Sequence, residues 1–147
     1  MTVSFKYQHL FYAMPPHQAD SIIYNEMVPR CEENGIYISQ YGNHSGENSL
    51  LSVEDYYKMK SEHKLFNITK IQKIFEELPY TVKMGSQFRI TSYDLSQHLT
   101  SKLQSSTEIA DGDLIAAMLL QGYTARFGKK GQENTVYCEF KATLSRR

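Results

Sequence analysis

No run of about 18 apolar residues occurs in this chain, so no membrane-spanning helix is expected. Tryptophan is absent, and the two cysteines, Cys31 and Cys138, lie far apart with no CxxC partner. That pattern reads as two reduced thiols of a cytosolic-type compartment rather than a disulfide framework. The start MTVSFKYQHLFYAMPPHQ lacks the basic opening and unbroken apolar middle of a signal peptide. An intracellular location, cytoplasmic or nuclear, is therefore expected, and the sequons at Asn43 and Asn67 read as accidental. The five histidines share no metal-ligand spacing, and HExxH and HxH are missing, so no metal or other cofactor is expected. A phosphate-binding GxxxxGK[ST] is missing too.

Net charge is zero, but it is unevenly spread. Residues 1–62 hold four basic and eight acidic side chains (−4), and residues 63–147 hold twelve basic and eight acidic (+4). The late basic residues Arg126, Lys129, Lys130, Lys141, Arg146 and Arg147 form a candidate contact surface for an anionic partner, nucleic-acid phosphate above all. The same split, with eleven tyrosines, also suits a protein partner or self-association. Apolar content of 41% and charged content of 22% are ordinary for a globular chain. A length of 147 residues suits one domain, with a subdivision near residue 50 left open.

The alternation of Val3, Phe5 and Tyr7 reads as a strand ended by Pro15-Pro16. Ala19, Ile22, Ile23 and Met27 follow at helical spacing, and Pro29 should end or kink that helix. Ile36-Tyr37-Ile38 reads as a second strand. Strand, helix, strand suggests a β-α-β-like unit over residues 1–50, with a plain α+β arrangement equally open. After the polar loop GNHSGENS, Ser52 and Asp55 resemble a capping box. Asn67 caps an amphipathic helix with Ile68, Ile71, Ile74, Phe75 and Leu78 on one face, and Pro79 should stop it.

Tyr80, Val82 and Met84, then Phe88 and Ile90, alternate around Gly85-Ser86 as a hairpin would. Ser92 should cap a helix carrying Leu95, Leu99 and Leu103. Asp111 should cap the next helix, and Gly122 should close it with a left-handed residue. Leu114 to Leu120 is apolar nearly all round, the mark of a buried core helix. A second hairpin closes the chain: Tyr123, Ala125 and Phe127, the turn GKKGQEN, then Val136, Cys138 and Phe140.

Candidate chemistry is sparse. Cys138 alternates with core residues, and Cys31 stands beside Glu32 and Glu33, which disfavour its thiolate. His44, in a glycine-flanked polar loop, is the one residue that a small enzyme could use, against the plainer reading of a solvated loop histidine. From Ile68 onward the order helix, hairpin or strand, helix, helix, hairpin is closely related to that of a winged helix-turn-helix, with Lys129-Lys130 as the wing tip. The gap from Gln104 to Ala110 is, however, longer than the usual turn of about 3–4 residues. The apolar helix has no polar face for base edges, so any nucleic-acid contact is expected from the hairpin and tail.

Ser92-Tyr93-Asp94-Leu95, Asp111 through Leu120, Gly122-Tyr123 and Asn134 through Tyr137 resemble a segment of short uncharacterised proteins of large DNA viruses and phages. There the pattern is N-G-[DE]-[FL]-I-A-A-ML-x-x-G-[YF] followed by a strand pair. The resemblance covers residues 92–141 and departs from the pattern at Asp111, where asparagine is usual, and in the longer GKKGQEN turn. It implies a viral or phage origin, in the host cell or virion, and brings no catalytic residue or ligand. The resulting expectation is an α+β, non-enzymatic binding protein, with an interaction or virion assembly subunit as the alternative.

Overall fold

The computed structural model describes residues 2–5, 11–44, 52–103, 109–127 and 138–145. The architecture is α+β: one buried helix packed against two other helices and a short strand pair, with further short antiparallel sheets. After β1 (Thr2–Val3), α1 (Pro16–Ile22) runs through a wide turn, Ile23–Met27, into α2 (Val28–Glu33). The Val28 amide reaches back to the Ile23 carbonyl across that turn. Pro29 does not end the run: the regular α-helical bonding gives way to the widened turn before it, which relieves the clash that a proline makes with the preceding turn.

β2 (Ile38–Ser39) and β3 (Gly42–Asn43) follow, then α3 (Val53–Ser61) and α4 (Ile68–Thr81). The Ser52–Asp55 capping box is complete, with both reciprocal hydrogen bonds present. Asn67 caps α4 by accepting from the Lys70 amide. Pro79 does not stop α4, which continues to Thr81. The missing Pro79 N–H would have bonded the Phe75 carbonyl, and Gln121 Nε2 donates to that oxygen instead at 2.9 Å. Lys102 Nζ, donating to Thr81 Oγ1 at 2.9 Å, holds the last turn.

β4 (Val82–Met84), β5 (Ile90–Thr91), α5 (Ser92–Lys102), α6 (Asp111–Leu120), β6 (Ala125–Phe127), β7 (Cys138–Phe140) and β8 (Ala142–Leu144) complete the chain. The main sheet has the order β1-β6-β7-β5, and β2–β3 and β4–β8 form separate antiparallel pairs. The strand, helix, strand order of the first forty residues is present, but β1 joins β6 while β2 joins β3, so the two strands do not pair as a β-α-β unit. The expected hairpin around Gly85-Ser86 is replaced by two long-range pairings, β4 with β8 and β5 with β7. The closing strand pair is present, with Phe127 opposite Cys138 and Ala125 opposite Phe140. Its turn, including Lys129 and Lys130, lies outside the described residues.

α6 is the centre. Gly112 to Leu120 are all buried, and α6 packs on α4, α5 and the β2–β3 pair. Five large apolar side chains at about 1.5–3 kcal/mol each contribute roughly 8–15 kcal/mol, an upper bound because the unfolded chain already hides some surface. The helix ends in a Schellman motif at Gly122 (φ 96°): the Gly122 amide bonds the Leu119 carbonyl and the Tyr123 amide bonds the Met118 carbonyl. Its start differs from expectation. Ala110 is the N-cap and Asp111 the first helical residue, because Asp111 Oδ2 is engaged by Ser92. Ser92 likewise caps nothing; Thr91 caps α5, while buried Ser92 donates to Asp111 and accepts from the Cys138 amide.

Candidate functional site

Two polar regions stand out, one sealed and one open. The sealed one surrounds the start of α6. The β2–β3 turn presses its backbone on Gly112, whose amide donates to the Gln40 carbonyl at 3.3 Å. Within that turn Ser39 Oγ and His44 Nε2 are 2.6 Å apart, and His44 Nδ1 is 3.0 Å from the Ser52 carbonyl. A carbonyl only accepts, so Nδ1 carries the proton, and in the neutral ring Nε2 accepts from Ser39. Ser39 Oγ in turn accepts from the Tyr41 amide.

This is the bonding of a nucleophile, its base and an orienting acceptor. Burial decides against that use: Ser39 is 0% and His44 4% exposed, leaving a substrate no approach to the hydroxyl. His44 is thus a structural joint rather than the solvated loop residue its glycine-rich surroundings suggest. His44→Ala should leave Ser39 without its acceptor and cost about 2 kcal/mol of stability in urea denaturation. A midpoint shift worth less than about 0.5 kcal/mol would show that the joint holds little.

Asp113 completes the sealed region. Its Oδ1 accepts from the Asn67 amide at 3.1 Å, tying α6 to the cap of α4, and Oδ2 has no hydrogen-bond partner among the described residues. Burial pushes its carboxyl up to about 6, against the opposing pull of the Asn67 hydrogen bond and the Lys70 charge. Burial also pushes the Cys31 thiol up to about 12, with Glu32 adding to it. Cys138 is raised well above a free thiol by burial and then by Asp111. Neither thiol is disposed to act as a nucleophile.

The open region lies on the outward face of β6 and β7. Arg126 stands over the Phe88 ring at 4.2 Å and donates to Glu139 across the strands, Nη2 to Oε1 at 2.8 Å. Lys141 Nζ lies over the same ring at 5.3 Å. Lys141 falls at the bend where the chain leaves β7 for β8, its amide bonding the Thr124 carbonyl and its carbonyl accepting from Gly85. The inward residues of the same strands, Ala125, Phe127, Cys138 and Phe140, are buried, so strand alternation turns the polar set outward. Arg89, exposed, joins this edge through its amide bond to the Phe140 carbonyl.

Of the six basic residues singled out in the sequence, Arg126 and Lys141 therefore converge. Lys129, Lys130, Arg146 and Arg147 lie outside the described residues. Phe88 was legible only as a hairpin residue and Glu139 as a strand residue. The usable signal was the strand register, which places Arg126 opposite Glu139. Among the described residues no three or more histidine, cysteine or carboxylate side chains gather as a metal site, and no helix is long and apolar enough to cross a membrane. Comparison with family models, curated proteins and solved structures gave no match.

Proposed function

We propose that this is a non-enzymatic binding protein, encoded by a virus or phage, that contacts nucleic-acid phosphate through its C-terminal basic face. One observation carries the reading: Arg126 and Lys141, from separate segments, meet over Phe88 on the outward face of β6–β7. The connection that leaves this strand pair carries Lys129 and Lys130, and the tail beyond β8 ends in Arg146-Arg147. α6 is buried along its length and has no surface to enter a groove, so base reading by a recognition helix is not part of the reading.

Binding of this kind is dominated by counterion release. With about four phosphate contacts, affinity should fall about 100-fold between about 50 and 200 mM salt, with little sequence preference. Lys129→Ala/Lys130→Ala should lower the slope by about two contacts. Fluorescence anisotropy titrations across a salt series check both, and no binding at the lowest salt would remove the reading.

A further inference from the structure

The open face contains a feature that phosphate contact alone does not use. Arg126 is a poor free cation, because Nε at 3.3 Å and Nη2 at 2.8 Å both donate to Glu139 Oε1. Its guanidinium is instead fixed in place, pinned by the carboxylate and laid over the Phe88 ring at 4.2 Å. The side chain remains 30% exposed. Lys141 differs: it has no ion-pair partner among the described residues, and its ammonium is 5.3 Å from the centroid of the same ring.

We infer that the Arg126–Phe88 stack is a base-stacking platform and that the favoured ligand is single-stranded nucleic acid. A guanidinium fixed over a ring is a planar group on which a second planar group can stack, and unpaired bases stack on arginine planes as they do on aromatic rings. Duplex bases are already stacked on one another and cannot reach the platform. Lys141, beside it, supplies the phosphate contact for the stacked nucleotide. Glu139 repels phosphate directly over Arg126 and so assigns the stack to the base and the neighbouring lysine to the backbone. Every base has a stacking face, so selectivity is for strandedness rather than sequence. This inference rests on the reading of the face as nucleic-acid-binding.

The test uses the full chain with a fluorescein-labelled oligothymidine of about twelve nucleotides and a duplex of equal length, titrated by anisotropy at low salt. The single strand should bind at least about 10-fold tighter than the duplex. Arg126→Lys keeps the charge and removes the plane. It should weaken the single strand about 10-fold and the duplex by a much smaller factor. Phe88→Leu keeps an apolar side chain and removes the ring, and should reproduce that selective loss, with circular dichroism melts confirming that both variants fold. Equal affinity for the two forms, or equal loss on both in Arg126→Lys, overturns the stacking platform and leaves the phosphate reading intact. Binding of neither form removes the phosphate reading and the platform with it.

Discussion

Gly112→Ala should abolish most of the stability of this protein, although alanine is the better helix former. A Cβ at position 112 would lie 1.5 Å from the Ser39 carbonyl oxygen and 2.4 Å from its carbon. Both are backbone atoms, so no rotamer change relieves the overlap; the β2–β3 turn must move away from α6. The propensity gain of about 1 kcal/mol for alanine over glycine is small beside the displacement of a packed backbone. That displacement would break the Gly112–Gln40 hydrogen bond and disturb the turn holding Ser39 and His44. A loss above about 4 kcal/mol is expected, against a total of roughly 5–15 kcal/mol for a domain. Gly85→Ala is the control, since its nearest non-neighbour atom would be 3.8 Å away, an ordinary contact. Urea denaturation should give a near-native midpoint for Gly85→Ala and little folded protein for Gly112→Ala. Equal midpoints would refute the close approach at the start of α6.

Asp113 should make stability fall as pH rises through the mildly acidic range. Its carboxyl is raised from 3.8 to about 6 in the fold, so the native state holds this proton more tightly than the unfolded chain does. The contribution is therefore fully present below about pH 4 and is lost as pH climbs through about 6. Two pKa units correspond to about 3 kcal/mol. Asp113→Asn keeps an oxygen for the Asn67 amide and removes the charge, so its stability should be flat where the wild type declines. Its advantage at pH 8 should be smaller than 3 kcal/mol, because the new amide N–H groups are themselves buried at about 1–3 kcal/mol. The slope is thus the diagnostic quantity. Parallel stability–pH curves for wild type and Asp113→Asn would show that the group titrates alike in both states.

What could be read from the sequence was what is decided within a few residues. The Ser52–Asp55 box, the Asn67 cap and the left-handed Gly122 each satisfy helix-end groups with neighbours in the chain. The apolar circumference of α6 announced burial for the same reason. Features settled by distant partners were not legible. Pro79 stays inside α4 because Gln121, some forty residues on, takes the orphaned Phe75 carbonyl. Ser92 lost its expected cap to Thr91 because Asp111 and the Cys138 amide claim its hydroxyl. His44 looked exposed from its glycine neighbours, yet the Ser52 carbonyl and Ser39 draw it inward. At the candidate site, charge patterning found Arg126 and Lys141, but only the pairing of β5 with β7 brings the Phe88 segment beneath them.

Amide chemical-shift mapping by NMR, with unlabelled oligothymidine added at low salt, locates the binding face itself. The expected perturbations cluster at Phe88, Arg89, Arg126, Glu139 and Lys141, while the amides of Asp111–Leu120 stay in place. Shifts centred on another surface, or none at saturating oligonucleotide, would contradict the assignment of this face.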